Sequence, residues 1–416
     1  MKTRHPTKSL SAVLLLSRVL GVFAFGCCSA AAAVDLAAPW DDGQYWIPRT
    51  YTDHLPSGQE YAVDFFWIEP QAGNQPRSAT QHADDGYDAA AEAGRGKNVR
   101  AAHAGIAQFV NYTFSPTACP PHGAEAEIRV SAGSLSTTCI HMETVDPIQI
   151  NDAVTVYNRE AGSLNLRSSA TTSAGVVSEL PDGTRMIVIG GPVEADGFRW
   201  WELRGVAATG WAVEKIGVRK TLHNCFIHRS TVVTVVSSLN LRPTFSTTAA
   251  PLATLAPGTE MTVVGGPELA EGYVWWQLQG AEGTGWAVDA IPSASGEDAP
   301  TLGRAVSAGG VIGFVSDQGC ADRPHLMFFV NNGGLQRLHE GSVLLDGEVI
   351  LSGPSRTDGY NTVYNSMPRT AQPPIGVTVA SVPSGLQVTV DGVGYLTPAS
   401  FNWTPGSSHS VGTPSP

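Results

Sequence analysis

The chain has 416 residues, enough for roughly two to four domains with real cores. Its formal net charge of −12 leaves no basic footprint and speaks against nucleic acid as a partner. With 45 glycines, 28 prolines and only 15% charged residues, it does not read as a set of long helices. Short apolar runs such as Met186-Ile-Val-Ile189 and Met261-Thr-Val-Val264, each ending at Gly-Gly-Pro, predict an all-β fold of many short strands.

Residues 1–33 predict a signal peptide. Lys2, Arg4 and Lys8 form a basic head, Leu10 to Phe25 an apolar middle, and Cys27-Cys-Ser-Ala-Ala-Ala-Ala33 a small-residue stretch with cleavage near Ala33. The expected location is secreted, either periplasmic or at the cell surface. Acylation of Cys27 is the alternative, although Ala24 stands where a lipobox usually has Leu. No later segment has the ~20 uninterrupted apolar residues of a transmembrane span. Four cysteines lie beyond the leader, Cys119, Cys139, Cys225 and Cys320. An even count in an oxidising compartment favours disulfides, with three pairings open. No Cys-x-x-Cys occurs, which argues against a structural zinc knuckle.

Residues 34–150 carry three separated motifs: Glu60-Tyr-Ala-Val-Asp64, Gly96-Lys-Asn-Val99 running on to Gly105-Ile-Ala, and Thr138-Cys-Ile-His141. His54, His82, His103 and His122 read as loop or turn residues. Next comes a duplication covering 151–218 and 228–292. Ser163-Leu-Asn-Leu-Arg167 recurs as Ser238-Leu-Asn-Leu-Arg242, Trp200-Trp201 as Trp275-Trp276, and Gly210-Trp-Ala-Val213 as Gly285-Trp-Ala-Val288, all at one spacing of 75 residues. Leu-Asn-Leu-Arg alternates as a half-buried strand should. Each Trp pair should place one indole on either face of its strand. Trp211 and Trp286 are expected in the cores; Trp200 and Trp275 are candidates for ligand or partner contact, with a core role as the alternative.

Residues 302–366 return to the earlier style, with Val306-Ser-Ala-Gly309-Gly-Val-Ile-Gly313 and then His325-Leu-Met327-Phe. Residues 367–376, containing Pro368-Arg-Thr-Ala-Gln-Pro-Pro374, read as a linker. In 377–416 alternating Val and Thr around Asp391-Gly392 predict a β-hairpin.

The duplicated motifs resemble the bacterial SH3-like domain, a small barrel that commonly binds cell-wall peptides or glycan. The flanking motifs, in their order, resemble lysostaphin-type (LytM-like) zinc endopeptidases of peptidoglycan, with both barrels inserted between His141 and His325. The C-terminal stretch is similar to the PEGA-type surface module and is expected to be a small module that is either incomplete or uses a partner strand.

The peptidase resemblance implies metal ligands at residues 60, 64 and 327 and assisting bases at His141 and His325. Asp64 is retained. Glu60 replaces one expected His and Met327 another. Zinc is the implied cofactor if the chain is active, yet a carboxylate pair with a thioether suits it poorly. The resemblances together imply a wall-associated, catalytically impaired protein that binds peptidoglycan or regulates a wall hydrolase. An active endopeptidase with unusual ligands and a purely adhesive surface protein are the alternatives.

Overall fold

The computed structural model describes residues 34–41, 44–49, 62–68, 92–113, 124–158, 161–293, 296–319, 321, 324–336, 338, 343–346, 348–349, 364–365, 375–381, 386–390, 393–403 and 411–413. Residues 1–33, residues 367–374 of the expected linker, Glu60, Cys119, Cys320, His54, His82, His122 and Asp391-Gly392 lie outside them. Ile375 and Gly376, expected at the end of the linker, already belong to a strand paired with Trp403 and Asn402. The fold is all-β as expected, with short, mostly antiparallel strands and one helical turn at 92–94. No helix among the described residues is long and apolar enough to cross a membrane.

The scaffold of the candidate site is an antiparallel run of strands Gly105–Thr113, Ala124–Ala132, Leu135–Ile140, Leu326–Asn332 and Val63–Ile68, in that spatial order. Register follows the period-two pattern. Val63, Phe65, Ile128, Val130, Cys139, Leu326 and Phe328 all turn to one face and pack with Trp40 and Trp46 into the main core. Asp64, Phe66, Glu125, Glu127 and Met327 are left on the other face. Chain segments more than 180 residues apart in sequence meet here, because Met327 is paired with Asp64 on one side and Ile140 on the other.

Each repeat builds its own barrel around its own core, one centred on Trp201 and Leu203, the other on Trp276 and Leu278. Leu164 pairs with Leu180 and Leu239 with Leu255, so the Leu-Asn-Leu-Arg strands hold equivalent places. Both repeats gain a strand beyond the stretch the motifs mark. Leu222–Asn224 pairs with Ala153–Val156 in the first, and Leu302 pairs with Val235 in the second.

The second of these strands has two partners. Leu302 and Gly303 pair with Val235 and Thr234 of the barrel, whereas Arg304, Ala305 and Val306 pair with Ala107, Ile106 and Gly105 of the scaffold. Barrel and scaffold therefore belong to one 12-stranded sheet. The first barrel has a seven-stranded sheet of its own. Toward the C-terminus, Ile375–Val379 pairs with Ala399–Trp403, and Gln387–Val390 pairs with both Val393–Leu396 and Val411–Gly412, so the expected hairpin is joined by further strands.

Cys139 and Cys225 are free thiols. Burial pushes both thiols well above their ordinary range. Neither forms a disulfide in this conformation; Cys139 lies inside the main core, and Cys225 packs against both that core and the second repeat's core.

Candidate functional site

Asp64, His141 and His325 come together on the face of the scaffold away from the main core. Asp64 sits mid-strand, its position fixed by Val63 and Phe65 pointing into the core. His325 is bridged to Ser316 just ahead of the strand Leu326–Asn332, and its backbone N–H donates to Ser316 O at 3.2 Å. Its ring stacks on Phe66, with centroids 4.8 Å apart and 24° between planes, while its Nε2 lies 3.7 Å from Asp64 Oδ1. The ring of His141 is 4.5 Å away from that of His325, centroid to centroid.

His141 ends the strand Leu135–Ile140 with φ of 62°. A side chain in the left-handed region signals local constraint, and two contacts supply it. Ser316 N–H donates to His141 O at 2.8 Å, and Nδ1 of the ring is 2.6 Å from Gln318 O. A carbonyl can only accept, so the proton sits on Nδ1 and the lone pair on Nε2. Glu125 Oε2 stands 3.6 Å from the same Nδ1 and favours that tautomer.

The turn 316–319 that sets this arrangement is pinned from the first barrel. Asp317 is buried and takes Arg95 Nη1 at 2.6 Å and Arg219 Nη2 at 2.8 Å. Gln318 Nε2 donates to Lys220 O at 3.1 Å and lies 2.6 Å from His223 Nε2. Burial drives the pKa of His223 down to about 3, so its ring is neutral, and the same Nε2 also faces Lys220 O at 3.2 Å. Gly319, at φ of 67°, has the Glu125 carboxylate where a Cβ would stand, 1.8 Å from Oε2. Only glycine allows this approach. Arg219, Lys220, His223 and Gln318 carry no motif signal, and only long-range contact assembles them.

Met327 fills the third expected ligand position. It is 6% exposed and packs with Ala62, Ile140 and Phe329 in an apolar cluster beside Asp64. Glu60 lies outside the described residues. Among the described residues no group of three or more His, Cys, Asp or Glu is disposed to hold a metal ion. By donor chemistry alone the implied positions suit zinc poorly, since Glu60, Asp64 and Met327 offer carboxylates and a thioether where zinc prefers imidazole or thiolate. On the same face Glu127 is buried beside Arg129 and Glu297, and desolvation raises its carboxyl to about 7, against the pull of Arg129.

The tryptophans depart from expectation. Trp200 and Trp275 are each 1% exposed, and their indole N–H groups donate to Ala195 O and Ala270 O at 2.9 and 3.1 Å. They are core residues and present nothing to a ligand in this conformation. Both tryptophans of each pair are buried, and the neighbouring long strand breaks register at Gly190 and at Gly265. Phe198 and Tyr273 pack edge-on against the same indoles. Trp211 and Trp286, expected in the cores, are only half-buried. Trp286 meets Phe245, itself 43% exposed, edge to face at 5.2 Å.

Fold and site define an antiparallel β protein with two repeated β units and a buried pair of histidines beside Asp64. No family model matches the chain, and no curated protein matches it. Among solved structures it aligns with NlpC1 from Trichomonas vaginalis at 10% identity and a TM-score of 0.20, over 38% of this chain and 48% of that one. NlpC2 from the same organism aligns at 8% identity and a TM-score of 0.20, over 36% and 49%. The alignments thus span about half the length of those two proteins. Likeness at this level carries no inference about activity.

Proposed function

We propose that this chain is an exported, wall-associated protein on a LytM-type layout whose zinc centre is incomplete. Its cleft and barrels bind peptidoglycan or dock a wall hydrolase, and it does not itself cut the wall. The observation that carries this reading is the convergence of Asp64, His141 and His325 on one sheet face, with Met327 in apolar contact at the remaining ligand position. Motifs interrupted by two whole barrels have no local reason to meet there. Their meeting supports the resemblance, and the Met supports impairment.

Two measurements on the purified full chain test it. Zinc titration is expected to give no tight one-to-one binding, and sedimentation with isolated wall sacculi is expected to pellet the protein without releasing peptide. One tightly held zinc per chain with cleavage of cross-linked wall overturns the impairment. Failure to pellet with sacculi, together with failure to stimulate a wall hydrolase, removes the wall assignment.

A further inference from the structure

We propose that the first repeat sets the orientation of the histidine pair through its trailing segment 219–224, with Arg219, Lys220 and His223 as positioning residues for His141 and His325. The inference rests on the histidine pair being the functional site, and it is independent of wall binding.

Segment 219–224 belongs to the first repeat by its own hydrogen bonds. Arg219 and Lys220 pair with Ile216 and Lys215, and Leu222, His223 and Asn224 pair with Val156, Thr155 and Val154 at the edge of the seven-stranded sheet. Between these ladders the Thr221 hydroxyl donates to Val213 O at 2.6 Å and its N–H to Glu214 O at 2.8 Å. A segment bonded in this way moves with the body that holds it.

The same segment reaches the site along two routes. Asp317 is buried and held from two directions, by Arg95 of the scaffold at 2.6 Å and by Arg219 at 2.8 Å. Gln318 Nε2 is 3.1 Å from Lys220 O and 2.6 Å from His223 Nε2. Lys220 also grips the chain that follows His141. Its N–H donates to Glu143 Oε1 at 2.9 Å, and its Nζ to Thr144 O at 3.1 Å. The turn held by these contacts touches both histidines. Ser316 donates to His141 O at 2.8 Å and accepts from the N–H of His325 at 3.2 Å, while Gln318 O is 2.6 Å from Nδ1 of His141.

At φ of 62°, His141 occupies a backbone region where a non-glycine residue persists only while its surroundings hold it. Residues 316–318 supply part of that hold, and segment 219–224 holds them in turn. Buried hydrogen bonds are costly to leave unmade, so a displacement of the segment is passed on to the turn and not absorbed between them. What shifts the first repeat therefore shifts the histidines, and by linkage a ligand on the histidine pair is felt by the repeat.

The test is side-chain NMR of the full-length protein carrying isotope-labelled histidine. Gln318→Ala keeps the backbone carbonyl that takes the His141 proton but cuts the side-chain links to Lys220 and His223. Exchange of the Nδ1 proton of His141 should quicken by about tenfold, the worth of one ordinary hydrogen bond. The two ring-nitrogen shifts should also draw together as the other tautomer is admitted. Arg219→Gln leaves Asp317 paired with Arg95 and should move the rings of both histidines. Arg199→Gln, which removes an exposed ion pair with Glu194 on the same repeat, should move neither. Unmoved His141 resonances in both Gln318→Ala and Arg219→Gln overturn the proposal, as does an equal response in Arg199→Gln. The unmodified chain decides if a variant misfolds. The amides of Lys220 and Ser316, which donate to Glu143 and to His141, should then open together in native-state hydrogen exchange, and unequal opening overturns the proposal. A failed wall assay leaves these readouts intact, and absent coupling leaves the impaired-centre reading standing.

Discussion

Two histidines away from the cleft show how much a few ångströms decide. His223 is sealed among Tyr157, Lys220 and Gln318 and stays neutral down to about pH 3. His228 is also largely buried, which opposes charge. Its hydrogen bonds to Asp146 and Asp152 outweigh that cost and push its pKa up to about 9. Arg304 on the shared strand bonds the same Asp146 at 3.0 Å. Because its folded pKa exceeds the ordinary 6.5, the folded state holds this proton more tightly than the unfolded chain. The stabilisation is complete below about pH 6.5 and is lost as pH rises through about 9, a swing on the order of 3 kcal/mol. Thermal melts from pH 6 to 10 should therefore fall more steeply for the native chain than for His228→Gln, which starts lower and stays flatter. Parallel curves would show that the proton is not held there. Gly319→Ala should destabilise by about 1–3 kcal/mol in urea titrations, since the added methyl evicts the Glu125 carboxylate and strains a left-handed residue. It should also disturb the His141 ring resonances, whereas Gly334→Ala, which meets nothing, should leave them unmoved.

At the scale of elements, the two barrels are duplicates that have diverged at one carboxylate. In the first, Trp201 Nε1 donates to Glu214 Oε2 at 2.9 Å. The equivalent residue in the second is Asp289, one methylene shorter and turned to Arg185 of the first barrel at 2.9 Å. Trp276 Nε1 is left buried with no hydrogen-bond partner among the described residues. Arg185 also takes Asp298 at 2.9 Å, so one cation ties the first barrel to the second and to the segment leading back to the scaffold. Removing one member of such a group leaves buried charge uncompensated. Arg185→Met should cost about 3–5 kcal/mol in equilibrium unfolding. Adding Asp289→Asn and Asp298→Asn to that variant should recover a large part of the loss. A triple variant no more stable than the single one would mean the arginine acts through packing.

For the whole molecule, hydrogen exchange should give the amides of Leu302–Val306 the same protection ceiling as Ala124–Ala132, because no boundary separates the second barrel from the scaffold. Early, independent opening of the strand Val232–Val235 would contradict that continuity.

Much of this architecture is legible from the sequence, for reasons that differ by region. The repeats announce themselves because a 75-residue spacing needs no structure to see, whereas a meeting of Asp64, His141 and His325 is only what the peptidase resemblance implies. The fates of Trp200 and Trp275 are hidden, since alternation gives two faces to a strand but not what covers each. In each pair both indoles are buried. The pinning of the 316–319 turn by Arg219, Lys220 and His223 is hidden too, because those residues meet it across nearly 100 positions without a pattern.

The strand Leu302–Val306 has a mechanical meaning. It is hydrogen-bonded to the barrel at one end and to the scaffold at the other, with no slack residue between. A pull applied to the second repeat would load those bonds in shear and pass to Gly105–Thr113, in the same sheet as Leu326–Asn332. If this repeat grips something under tension, the tug enters the scaffold sheet, as a flexibly tethered module would not allow.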